Sequence, residues 1–218
     1  MSTPLFDLTL TEEQRITRES MRRLARDTLS SQARAADDAA AADPALLDAI
    51  SGFGLALMPM PEALGGVGMP RSPLSNALAV EDLAQGDMSH TLAALQPMAA
   101  VNALMDFGDE QQQERWLPAL AAETFAGAAV ALNEPRATFE PAEPATTASK
   151  EGDNYILTGV KSLVPMAAQC QWFVVVAAID GGVAAFVVPA DAEGLSIDAE
   201  PYMGLRSASM ATLTLENV

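Results

Sequence analysis

Apolar residues recur at helical spacing through the front half of the chain and at strand spacing behind it, so the pattern divides the sequence near Phe125. The first helix is announced by Thr11-Glu12-Glu13-Gln14, a Thr-x-x-Gln capping box. Met21 and Leu24 centre its apolar face, with Ile16 and Leu29 at the edges and Arg15, Arg18, Arg22, Arg23 and Arg26 mostly opposite. Ala35 to Ala42 reads either as the frayed end of this helix or as a linker. Asp43-Pro44 restarts a helix, with Asp as N-cap and Pro at the first helical position. Leu46, Leu47 and Ile50 form its buried face, and Gly52 and Gly54 end it. Met58 to Gly68 carries three glycines and two prolines and reads as a constrained loop. No strand precedes it and no Gly-Lys-Ser/Thr follows, which favours a structural turn over a phosphate cradle. Helices resume over Ser72 to Gln85, Met88 to Phe107 and Asp109 to Ala122, with Asp87 and Asp109 as caps and Gly86 and Gly108 as breaks.

Behind Phe125 the runs become short, β-branched and aromatic. Seven strands are predicted: Phe125 to Leu132, Ala145 to Lys150, Tyr155 to Val160, Trp172 to Ile179, Val183 to Val188, Leu195 to Asp198 and Met210 to Leu215. Glu151-Gly152-Asp153-Asn154 and Asp180-Gly181-Gly182 are turn signals, the second a hairpin. The expected fold class is therefore α+β: an all-helical N-terminal domain, residues 1–124, then an antiparallel β-sandwich or barrel, residues 125–218. The last strand candidate runs to the end of the chain, and this domain is expected to be truncated there.

Composition narrows the function. With 218 residues, half of them hydrophobic, the chain is long enough to bury a sizeable core. A net charge of -17, with the arginines interleaved among acids, excludes a nucleic-acid partner. No apolar run is long enough to span a membrane. No basic n-region precedes Asp7, Glu12 and Glu13, so the chain is expected to be cytoplasmic. Cys170, the single cysteine, reads as a small core or loop residue, and His90, the single histidine, as a helix-end or packing residue rather than a metal ligand. Met58, Met60, Met98 and Met105 read as core filler before they read as a ligand pocket.

Six stretches, in order, resemble the acyl-CoA dehydrogenase family. They are Thr11-Glu12-Glu13-Gln14, the loop from Met60 to Gly68, Gly108-Asp109-Glu110-Gln111-Gln112, Asn133-Glu134-Pro135, Gly159-Val160-Lys161 and Met203-Gly204-Leu205-Arg206. The resemblance implies a helical domain, a middle β-domain and a C-terminal four-helix domain that this chain would lack. It implies FAD as cofactor, an acyl-CoA substrate, and an electron-transfer flavoprotein or similar electron acceptor. The full-length protein would be a homo- or hetero-oligomer. The reaction implied is α,β-dehydrogenation, with the catalytic glutamate in the missing domain. By the same resemblance Glu134 belongs to a structural motif and is not the base.

The resemblance places cofactor contacts at Leu132, Asn133, Thr138, Leu163, Val164 and Pro165, and the departures from the family pattern fall there too. Where the family often has Gly-Ala-Gly-Ser-Asp, this chain has Arg136-Ala137-Thr138-Phe139-Glu140, and Phe139 offers no hydroxyl. Arg136 reads either as a phosphate partner or as a solvated loop residue. Leu163-Val164-Pro165 replaces Trp-Ile-Thr, and Pro165 offers neither hydroxyl nor N–H. Asn133 retains a side chain able to meet the flavin's polar edge. These departures leave open a non-catalytic subunit or acyl-CoA-binding module with a degenerate flavin site. An acyl-CoA oxidase or flavin monooxygenase on the same fold also stays open.

Overall fold

A computed structural model describes residues 9–152 and 154–218. Asp7, from the acidic N-terminal stretch, and Asp153, in the first turn signal, lie outside them. Thr11 caps helix α1 (Glu12–Leu24), with Gln14 returning the bond to complete the box. The helix passes through one π-helical segment, Ala25–Leu29, into α2 (Ser30–Ala39). The Ala-rich stretch is therefore helix as far as Ala39, where the left-handed Ala40 ends it. Met21, Ala25 and Leu29 are buried, whereas Ile16 is 59% exposed. Ile16 precedes the π-segment on regular helix, five residues and about 140° around the axis from Met21, which turns it away from the buried face.

Asp43 caps α3 (Pro44–Ser51) and Ser72 caps α4 (Pro73–Ala84). Asp87 caps α5 (Met88–Leu95), and Pro97 opens α6 (Pro97–Phe107), so the predicted single helix is broken at Gln96. Asp109 and Gln112 form a capping box on α7 (Glu110–Trp116). Asp82 is fully buried between α1 and α4, where Arg18 at 2.5 Å and Arg22 at 2.8 Å neutralise it. His90 is also fully buried. It accepts the Asp43 N–H at Nε2 (3.0 Å) and is oriented at Nδ1 by Asp87, so it joins the starts of α3 and α5.

The strands are β1 (Gly127–Ala131), β2 (Thr147–Glu151), β3 (Asn154–Val164), β4 (Cys170–Ile179), β5 (Gly182–Pro189), β6 (Leu195–Ala199) and β7 (Ala211–Leu215). The pairs β2–β3, β4–β5, β3–β7 and β6–β7 are antiparallel, as expected. The sheet is nevertheless mixed, because β1 runs parallel to β4, and β2 touches β4 through one parallel bridge, Thr147 to Ala178. Parallel pairing needs a long crossover. The loop after β1 and the whole β2–β3 hairpin supply one, which a count of short apolar runs does not disclose. β7 ends at Leu215, pairs with β3 on one side and β6 on the other, and Val218 exchanges two backbone bonds with Leu157.

Alternation along β4 assembles the molecule. Phe173, Val175 and Ala177 face the β core with Leu213 and Leu215. Trp172 and Val174 face the other way, onto Met60, Val101, Leu104 and Leu117 of the helical unit. A third contact comes from the loop after β3, where Met166 enters the helical core beside Met21 and Leu29. Burying that side chain stabilises the junction by about 2 kcal/mol.

Candidate functional site at the junction of the two units

The two predicted cofactor segments leave different strands and meet. Ser162 donates its backbone N–H to the Asn133 carbonyl at 3.0 Å. Lys161 Nζ donates to the Leu132 carbonyl at 3.2 Å and to Glu134 Oε1 at 3.0 Å. Glu134 is buried and also accepts the N–H groups of Ala145 and Thr146, each at 2.8 Å. Arg136 Nη2 lies 3.1 Å from its other oxygen. Burial alone would raise the Glu134 pKa. The Thr146 and Ala145 amides, with Lys161, more than reverse that and hold it at about 2. Burial draws the fully buried Lys161 ammonium below its ordinary value, against the pull of Glu134. Glu134 is thus a tied structural carboxylate, with no lone pair left to take a substrate proton. Gly159 lets this arrangement close, since a Cβ there would lie 2.6 Å from the Thr146 Cα.

The tie holds a strained wall. Leu163, Met166, Leu205 and Ser209 all adopt the left-handed conformation, at φ +57°, +54°, +53° and +47°. Each costs about 1–2 kcal/mol in a residue with a Cβ. The two segments they belong to are bonded from Met166 N to Ala208 O at 3.1 Å. The Arg206–Ala208 turn packs on α2 and α5. At the surface, Leu163 and Asn133 are exposed, Leu132 and Pro165 are half-buried, and Val164 is buried in the β core. Five of the six predicted contacts therefore converge, with Val164 supporting the wall from behind. Thr138 sits apart, exposed on the loop after β1.

Neither reading of Arg136 describes it fully. Its guanidinium pairs with Glu134, donates to the Glu143 carbonyl at 2.8 Å and lies 5.8 Å from the Phe139 ring centre. The arginine folds the loop over itself. Sequence reasoning missed Glu200, whose carboxylate accepts from Leu163 N (3.1 Å), Thr212 Oγ1 (3.0 Å) and Tyr202 OH (2.6 Å). It lies 37 residues from Leu163, and no local pattern signals the contact. Of the methionines, Met60 is core, while Met58 and Met98 line a separate cavity of about 280 Å³ in the helical unit. Cys170 is buried, and burial pushes its thiol up to about 12. Among the described residues no cluster of His, Cys, Asp and Glu is suited to a metal, and no helix is long and apolar enough to cross a membrane.

A helical unit set against a mixed sheet, with exposed and left-handed backbone where they meet, is an α+β architecture. The chain belongs to the acyl-CoA dehydrogenase family: the family's N-terminal domain matches residues 11–124 and its middle domain residues 129–218. It is 31% identical over 221 residues to the probable acyl-CoA dehydrogenase FadE25 of Mycobacterium tuberculosis, covering 98% of this chain and 56% of that protein. The chain thus spans about half the length of the relatives it matches. Its fold superposes at a TM-score of 0.86 on a glutaryl-CoA dehydrogenase of Mycobacterium smegmatis in complex with FADH2, at 25% identity, covering 96% of this chain and 54% of the other. It also superposes at 0.84 on a chain from a study of the electron transferring flavoprotein of Acidaminococcus fermentans, at 29% identity and covering 97% and 57%.

Proposed function

We propose that this chain forms the helical and β walls, residues 1–124 and 125–218, of a flavin-dependent acyl-CoA dehydrogenase acting on an acyl-CoA thioester. The observation that carries this reading is the hydrogen-bonded meeting of the Leu132–Asn133 and Ser162–Pro165 segments at the seam, in a chain of this family. The residues there fit FAD. Leu163 offers an exposed apolar face to a planar ring, and the exposed Asn133 carboxamide beside it suits a polar ring edge. Thr138 would offer its hydroxyl on the pyrophosphate side. When bound, FAD supplies the hydride acceptor.

The chain's own residues orient and support. Pro165 donates nothing, so polar recognition of the ring falls to Asn133 and the adjoining backbone. No carboxylate at the seam is free to remove an α-proton. Glu134 is held at about 2, and three donors outweigh burial to hold Glu200 below its ordinary value. By its resemblance to the family we assign the base to a residue outside this stretch of the protein. We assign an electron-transfer flavoprotein or similar acceptor as the redox partner, an oligomer as the full-length assembly, and the cytoplasm as its location.

The test is to purify the full-length protein, record its flavin spectrum and assay acyl-CoA-dependent reduction of an electron acceptor. A yellow protein reduced by an acyl-CoA is expected; colourless protein that FAD cannot reconstitute ends the catalytic reading. The engagement of Arg136 by Glu134 and Glu143 favours a second reading, a non-catalytic subunit, which co-purification with a separate flavin-bearing chain would support.

A further inference from the structure

We infer that Glu200 is a positioning residue for the cofactor wall: its carboxylate fixes the Leu163 backbone in the conformation that exposes the Leu163 side chain near Asn133. The inference rests on the reading of that wall as a flavin surface.

The β3–β7 ladder loses register between Lys161 and Val164, where Leu163 turns left-handed. A backbone N–H turned out of a ladder needs another acceptor, and Glu200 Oε2 provides it at 3.1 Å. Glu200 is itself fixed on three sides. Its own N–H donates to the Met210 carbonyl at 2.8 Å, the Thr212 hydroxyl reaches the same Oε2 at 3.0 Å, and the Tyr202 hydroxyl reaches Oε1 at 2.6 Å. Burial and the neighbouring carboxylate push the Tyr202 phenol up to about 12, so it remains a donor at neutral pH. The carboxylate thus joins the end of β3, the strand β7 and the Tyr202 loop at one point. Pro165, two residues past Leu163, contributes no N–H, so Glu200 is the side-chain acceptor that holds Leu163 between the Ser162–Asn133 backbone bond and the Val164–Ala211 pairing. On the helical side the anchor is Met166, bonded to Ala208 and buried among helical residues.

A plain structural brace would lower stability when removed and leave the bound flavin otherwise unaffected. A positioning residue changes how the flavin is held, and a variant that restores the Leu163 bond repairs the change. In the full-length protein, Glu200→Ala is expected to weaken FAD binding by about tenfold or more and to alter the shape of the visible flavin band. Glu200→Gln, whose amide oxygen still accepts the Leu163 N–H, is expected to stay within about threefold of the parent. Glu200→Asp keeps the charge but shortens the reach, and is expected to behave like the alanine variant; it serves as the milder test if Glu200→Ala does not fold. In flavin-free protein, hydrogen exchange at the Leu163 amide is expected to quicken in Glu200→Ala and Glu200→Asp but not in Glu200→Gln. Parent protein that binds no FAD overturns the flavin reading and this role together. Parent protein that binds FAD while Glu200→Ala matches it in affinity and spectrum overturns this role alone. So does a loss in Glu200→Ala that glutamine fails to repair.

Discussion

A carboxylate withdrawn from water keeps its charge only where donors replace the water, and Glu134 receives two backbone amides, the Lys161 ammonium and the Arg136 guanidinium. Its folded pKa of about 2 lies below its ordinary 4.5, so the stabilisation is complete above the ordinary value and disappears as pH falls through the folded one. We expect Glu134→Gln to cost about 3 kcal/mol at pH 6 and much less near pH 2, because protonation removes the same charge from the parent. Urea unfolding of both proteins across this range checks it; a gap that does not narrow with acid contradicts the assignment. The motif around Glu134 was legible in the sequence as a structural element. The identity of its partners was not, because Ala145, Thr146 and Lys161 approach from other segments and two of the four donors are backbone groups that any residue would present.

The α1–α2 helix passes through its π-segment where the α4–α5 turn lies against it. Gly86, between α4 and α5, lies against the π-segment: an added Cβ would meet the Ala25 carbonyl oxygen at 2.5 Å, the Ala25 Cα at 2.8 Å and the Leu29 Cβ at 2.8 Å. Two of those three atoms are backbone and have little room to yield. Gly86→Ala is therefore expected to cost about 1–3 kcal/mol in a denaturant titration. Gly204→Ala, with nothing within 4 Å of the added Cβ, should change stability by about 0.5 kcal/mol or less. Equal effects at the two positions would rule out the proposed contact. Gly86 as a break between helices follows from composition, and the caps at Thr11, Asp43, Asp87 and Asp109 follow from side-chain chemistry read locally. The π-segment does not, and the Gly86 it packs against lies some sixty residues away in the chain.

Met166 joins Trp172 and Val174 in coupling the two units into one molecule. It follows the β3 wall yet is 1% exposed within the helical core. Met166→Ala should destabilise the protein by about 2–5 kcal/mol. Because the residue is shared, the loss should appear at the same denaturant concentration by tryptophan fluorescence and by far-ultraviolet circular dichroism. Two separated transitions in the parent protein would show that the units fold independently and that the junction contributes little. The shared residue also links the helical unit to the proposed cofactor wall, through the Met166–Ala208 bond and the strained residues on either side.

What depends on neighbours along the chain was legible in the order of residues: the change of period near Phe125, seven strands, the Asp180-Gly181 hairpin and the helix caps. Order-preserving motifs carried the family, and with it the segments around Asn133 and Leu163. Long-range packing set the parallel pairing of β1 with β4, the burial of Glu134 and Lys161 as a tie, and the capture of the Leu163 amide by Glu200. Period and capping are set by interactions within a few residues, whereas these contacts depend on which distant surfaces packing brings together. The exposed Ile16 and the buried Met166 illustrate the division: one lay near a local apolar face but outside the core, and the other entered a core that no local pattern assigned to it.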